Sequence, residues 1–153
     1  MHLRQQLEHF RREHDAILRF LREFEAALDL ADGQVDGGCV EAVAQLERIE
    51  NRLLAIRKHC REEERSVESP FQFYLEDVTT ERLRADHELF DELLRAFCDE
   101  LRRGQVQSRQ AELVRRGRLL LAHARHHIAF EEGLLKQIED AADAEPRGPA
   151  SAS

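Results

Sequence analysis

The sequence predicts an all-α protein, an antiparallel up-down-up-down four-helix bundle, and three observations lead to that prediction. Apolar residues recur at alternating steps of four and three through four long segments, which is the period of an amphipathic helix. Only seven glycines and three prolines occur, and eight of these ten residues lie outside those segments. The connections are mostly short, and four amphipathic helices joined by short connections pack as an antiparallel bundle.

Each helical segment carries its own apolar stripe. In order, the stripes run from Leu3 to Leu28, from Ala42 to Val67, from Leu83 to Leu101 and from Leu113 to Ile138. We expect the second helix to end near Ser66, the third to begin near Thr80 and the fourth to begin near Ser108. The longest connection, between Val67 and Thr80, contains SPFQFYLED and has room for a short helix of its own.

One domain accounts for nearly the whole chain. Residues 1–143 carry the four stripes, and a chain of this size forms a single core. Residues 144–153, AEPRGPASAS, are rich in proline, glycine and small residues, and we expect them to form a disordered C-terminal tail.

Composition excludes several classes of partner. Acidic residues outnumber lysine and arginine by 31 to 23, so the net charge of −8 argues against binding a nucleic-acid backbone. The longest purely apolar run, Leu119 to Ala122, is too short to cross a membrane. Three cysteines without a CxxC motif, and an amino terminus without the apolar core of a signal peptide, indicate a cytoplasmic protein. The protein partner remains open.

Each apolar stripe has a histidine at a position where an apolar residue is expected. The four are His14, His59, His87 and His127. Glutamates follow the second and fourth of them by one helical turn, at Glu63 and Glu131. Residues four apart lie on the same helix face, about 5–6 Å apart at Cβ, so each HxxxE pair can bind one metal ion or two adjacent ones. Counting from the helix ends places the four histidines within about one turn of a common level.

A faint internal repeat supports a site with two-fold character. The segment EHDAILRFLREF (13–24) matches DHELFDELLRAF (86–97) in its acid-His-acid start and in three later positions. The segment HCREEE (59–64) matches HIAFEE (127–132) in the histidine and both last glutamates. A histidine helix followed by an HxxxE helix therefore occurs twice, which suits a pair of metal ions.

The ligand types narrow the choice of metal but leave alternatives open. Mixed imidazole and carboxylate ligands suit Fe, Mn, Zn or Cu, and without thiolates a closed structural zinc site is disfavoured. Six ligands shared between two ions leave each ion with room for a bridging oxygen and an exogenous molecule. The competing interpretation is a metal-free structural bundle, in which hydrogen bonds between histidine and glutamate compensate the cost of burying carboxylates.

Four motifs in order resemble the hemerythrin-like (HHE cation-binding) domain family. They are EHDAI (13–17), HCREEE (59–64), DHELF (86–90) and HIAFEEGLL (127–135). The resemblance covers about residues 5–140. It implies a non-haem di-iron centre of two Fe ions with oxo or hydroxo and carboxylate bridges. By position, the four histidines would be terminal ligands, and Glu63 and Glu131 the bridges.

The same resemblance indicates a function in binding or reacting with O2, NO or peroxide, as in oxygen or redox sensing or peroxide handling. Iron storage or buffering and reversible oxygen carriage are the alternatives, and the sequence leaves open whether the protein is an enzyme. Oxygen-carrying hemerythrins have HxxxH on the third helix, and the first histidine of that pair falls here on Leu83. An extra ligand could come from His123, from Glu132 or from residues 68–78. The departure at Leu83 argues against reversible carriage.

Overall fold

The computed structural model describes residues 2–33, 39–65, 75–103 and 110–144, and within α2 it leaves out the side chains of residues 39, 40, 42, 43 and 63–65. Four helices make up this part of the chain: α1 Leu3–Asp32, α2 Cys39–Arg65, α3 Asp77–Arg103 and α4 Gln110–Ala144. Each packs against the next along the chain, and α4 packs against α1. The predicted all-α four-helix bundle is thereby confirmed.

The third helix begins at Asp77 rather than near Thr80. The backbone N–H of Thr80 donates to the carbonyl of Glu76 at 3.1 Å, which is already the bond of a helical turn. Asp77 also places a negative charge in the first turn, where it interacts favourably with the unpaired N–H groups of the helix start. The possible short helix before this point, and the predicted C-terminal tail apart from Ala144, lie outside the described residues.

The predicted stripes form the core, and the core has two parts. A large cluster includes Phe24, Leu53 and Phe97, all of them inaccessible to solvent. A smaller cluster includes Leu7, Phe10, Leu83, Leu134, Leu135 and Ile138. Among the described residues, no helix has the combination of length and apolar character that crossing a membrane requires.

A polar layer lies between the two apolar clusters. Along α1, His14 is buried between Phe10 of the small cluster and Phe20 of the large one. Along α3, His87 holds the same place between Leu83 and Phe90. The apolar core of the bundle is thus interrupted at one level, and the chain has to compensate the burial of polar groups there.

Away from that layer the helices pack closely. Gly117 of α4 lies against Leu28 of α1 and Phe97 of α3. A Cβ atom added at Gly117 would come within 2.4 Å of a Leu28 methyl group and 3.2 Å of the Phe97 ring. The glycine on the fourth stripe is therefore a site of close helix approach, which the periodicity alone did not explain.

Candidate metal centre

The four stripe histidines meet inside the bundle as two pairs. The ring centroids of His14 and His59 are 5.5 Å apart, and those of His87 and His127 are 4.6 Å apart. Three of these residues are buried, and the His59 side chain is 11% exposed. One histidine from each helix thus reaches a common layer, as their depths along the helices predicted.

Glu131 lies between the two histidine pairs. Its Oε2 atom is 2.8 Å from Nε2 of His14, and its Oε1 atom is 3.2 Å from Nε2 of His87 and in contact with Nε2 of His127. Two groups of potential ligands share this carboxylate: His14, His59 and Glu131, and His87, His127 and Glu131. Within each group the ligand atoms lie within 4.8 Å of one another. A carboxylate whose two oxygens face different groups has the geometry of a bridge.

The acid that precedes the histidine on α1 or α3 contacts the histidine of the next helix. Glu13 accepts a hydrogen bond from Nδ1–H of His59 at 2.6 Å. Asp86 accepts one from Nδ1–H of His127 at 3.1 Å. Such a carboxylate partner fixes the tautomer and the ring orientation, so that Nε2 is left to bind a metal. The acid-His-acid repeat in the sequence therefore corresponds to a repeated contact between helices.

Glu132 contacts the site from its outer side, through His14. Its Oε1 atom accepts a hydrogen bond from Nδ1–H of His14 at 2.6 Å, and its Oε2 atom is 4.0 Å from Nε of Arg11. The side chain is 36% exposed. Of the two adjacent glutamates on α4, only Glu131 joins a candidate ligand group among the described residues.

His123 contacts the site from one turn away. Its Nε2–H donates a hydrogen bond to the backbone carbonyl of Asp86 at 2.8 Å, and its ring stacks on His127 at a centroid distance of 6.3 Å. That nitrogen is therefore directed at α3 and not at Glu131. The arrangement favours a role for His123 in holding α3 and α4 in register.

Two of the predicted contributions lie wholly or partly outside the described residues. The backbone of Glu63 belongs to α2, but its side chain lies outside the described residues, so its role as the second bridge stays a prediction. Residues 68–74 also lie outside them. In the remaining part of the connection, Glu76 and Asp77 are exposed at the start of α3, and Leu75 packs against the small apolar cluster.

The electrostatics of the layer favour a cation. Burial by itself raises the pKa of Glu131, but hydrogen bonds from His127, His14 and His87 outweigh it and hold that pKa well below its usual range. His14 and His127 each have a carboxylate oxygen near both ring nitrogens. A neutral imidazole has only one N–H, so it can donate to only one of the two carboxylates. A metal ion held by Nε2 and Glu131 would accommodate both contacts, with the Nδ1–H of each ring still donating to the outer carboxylate.

A small cavity adjoins the ligand groups. Its volume is about 10 Å³, close to the space that one water molecule needs. Its lining combines ligand candidates with apolar side chains, among them Ile17, Ile56, Phe90 and Ile128. The candidate ligands therefore adjoin a mostly apolar space with room for about one water molecule.

Imidazoles from four helices, three of them buried, surround one shared carboxylate, and this is the arrangement expected of a bundle that binds cations through histidine and carboxylate ligands. The model of the hemerythrin HHE cation binding domain matches residues 3–138, nearly the whole chain, and the chain belongs to that family. No curated protein and no solved structure matches it significantly. The resemblance carried by the four motifs is confirmed.

We expect the loss of either supporting acid, in Glu13→Ala or Asp86→Ala, to weaken metal binding by about 10–100-fold, because the histidine then loses its fixed orientation. Affinity is measured by competition with a coloured chelator. Asp15→Ala is the matched control, because Asp15 is an exposed acid beside His14 that faces away from the layer. Equal affinities in all three variants would contradict the supporting role.

Proposed function

We propose that the chain binds two iron ions and uses them to bind or react with a small ligand, O2, NO or H2O2. The observation that carries this proposal is the position of Glu131, whose two oxygens face the two histidine pairs. In this scheme His14 and His59 hold one ion, His87 and His127 hold the other, and Glu131 bridges them. Glu63 is proposed as the second bridge.

The donor set supports iron over a closed structural metal. Both candidate groups among the described residues consist of imidazole and carboxylate, without thiolate. Three such ligands to each ion, together with a second bridge, leave coordination positions open. When bound, the two irons supply the electrons and the open positions with which a small ligand reacts. A cytoplasmic location is part of this proposal.

The chain's own residues would hold and protect the centre. Glu131 stays ionised because its pKa is low, so its charge is available to offset two cations. Glu13 and Asp86 keep the Nδ1 protons of their histidines in place and leave the Nε2 lone pairs for metal. The apolar wall limits water, which favours reaction with a small uncharged ligand over loss of the metal to solvent.

Leu83 supports a reactive centre over reversible oxygen carriage. It is buried in the small apolar cluster, one turn before His87, and brings no fifth imidazole to the site. We expect the reduced, iron-loaded protein to oxidise to the diferric state within minutes of mixing with air, and Leu83→His to slow that oxidation. We also expect the protein to consume H2O2 faster than free iron does. Stopped-flow absorption spectroscopy measures both reactions.

Two results would point to the alternative functions. An oxygenated spectrum that persists and is reversed when oxygen is removed would favour carriage. Ready release of all iron to a mild chelator, without reaction with peroxide, would favour storage.

A further inference from the structure

An open groove lies between α1 and α2 beside the metal centre. Its volume is about 280 Å³. It is lined by Glu13, Ala16, Ile17, Phe20, Arg52, Ala55, Ile56 and His59. Most of these side chains are apolar, so the groove is a poor binding site for a charged molecule and a suitable path for a small neutral one.

The groove and the inner cavity share part of their lining. Ile17, Ile56 and His59 line both of them. Ile56 is buried and Ile17 is half-buried, so the two isoleucines separate the outer space from the inner one. His59 has the most exposed side chain of the four site histidines, at 11% against 1–7% for the others. The groove is thus a point at which the surface comes close to the candidate ligands.

We propose that the groove is the entrance through which small neutral ligands reach the centre, with Ile17 and Ile56 as its gate. This inference rests on the proposed function and adds to it the route and the selectivity. Side chains in packed interiors do change rotamer, and such a change at either isoleucine would join the groove to the cavity. The gate should admit a diatomic or peroxidic molecule quickly and larger neutral molecules only slowly.

The charges at the groove set its selectivity. Arg52 lies over the Phe20 ring at 4.4 Å and forms an ion pair with Glu23, so its positive charge is already compensated. Glu13, in the wall, repels anions from the side nearest His59. Neutral NO should therefore enter much faster than an anion such as azide.

Filling the groove from outside tests the entrance without disturbing the core. Ala55 is exposed and lines the groove, and Ala55→Trp places an indole in it. Leu54→Trp is the matched control, because the neighbouring Leu54 is 41% exposed and does not line the groove. In the reduced, iron-loaded protein we expect Ala55→Trp to slow NO binding about tenfold, within the range that mutations of one site produce in association rates. The final amount bound should not change.

A second measurement needs no metal. Cys60 is a buried thiol that lines the inner cavity. In metal-free protein at pH 8, we expect the small neutral reagent methyl methanethiosulfonate to label Cys60 more slowly in Ala55→Trp than in Leu54→Trp. Cys98 is the negative control, because it lies outside the cavity lining and burial raises its pKa to about 12, so it should label very slowly in both variants. Peptide mass spectrometry separates Cys60 from Cys98 and from Cys39, and circular dichroism checks that the variants are folded.

Equal NO binding rates and equal Cys60 labelling rates in the two variants would overturn the proposed entrance. Azide binding as fast as NO binding would overturn its selectivity. A chain that takes up no iron would contradict the proposed function instead. In that case the labelling rates would still decide whether the groove leads to the cavity.

Discussion

Glu131→Gln is expected to reduce the iron content from the proposed two ions per chain to nearly none. The glutamine is almost the same size, but it has no charge and only one oxygen. It therefore cannot offer an anionic oxygen to both histidine pairs, as Glu131 does through Oε1 and Oε2. Both ions should be lost together because they share this ligand. Metal analysis of protein produced with ample iron measures the effect.

Two controls separate this result from a general loss of structure. Glu139→Gln changes a half-buried glutamate of α4 that pairs with Arg11 at 2.6 Å, outside the candidate ligand groups, and it should keep its iron. His127→Ala should lose most of its iron, whereas His123→Ala should keep most of it, because Nε2 of His123 donates to a backbone carbonyl. Iron retained in Glu131→Gln would show that the centre lies elsewhere. Loss in His123→Ala alone would show that the register of α4 was wrong.

Removing the iron is expected to produce the second large effect, a loss of several kcal/mol in the free energy of unfolding. A ligand present at 1,000 times its Kd stabilises the folded state by about 4 kcal/mol for each site. Without metal, Glu131 and the histidines that face it still have to stay buried, and a buried carboxylate without a cation beside it costs free energy. Urea unfolding of iron-loaded and chelator-treated protein, followed by circular dichroism, measures the difference.

The helical content should nevertheless survive the loss of iron. The large cluster around Phe24 and Phe97 and the small cluster around Leu135 contain no metal ligand. They should hold the four helices together without help from the polar layer. Glu131→Gln provides the control, since its unfolding midpoint should not respond to chelator. Identical midpoints for iron-loaded and chelator-treated parent protein would contradict a stabilising metal centre.

Most of the fold follows from local pattern. The stripe positions that the structure describes are buried or half-buried, from Leu7 on α1 to Ile138 on α4, because the helical period fixes which residues share a face. The start of α3 at Asp77 was missed because helix ends depend on a few hydrogen bonds, such as the one from Thr80 to Glu76, and not on periodicity. The short helix expected in the longest connection and the bridging role of Glu63 remain predictions, because they lie outside the described residues.

The sequence by itself determined which residues could reach the centre of the bundle. Four histidines and Glu131 occupy positions where the helical period demands burial, and a buried carboxylate needs a partner. That reasoning uses only the geometry of single helices, so it holds without knowledge of how they pack. It placed Glu131 on the stripe and its neighbour Glu132 beside it, since adjacent residues on a helix point about 100° apart, but it left Glu132 open as an extra ligand.

Only the tertiary structure decided the contacts between helices. His123 and His127 lie one turn apart on the same side of α4. The position of α3 against α4 decides that His123 meets the backbone carbonyl of Asp86 and that His127 meets its carboxylate. Glu13 likewise meets a histidine 46 positions later in the chain, His59. Such pairings depend on the rotation and height of one helix against another. A period of 3.6 residues fixes the face of a helix but not the partner that it meets.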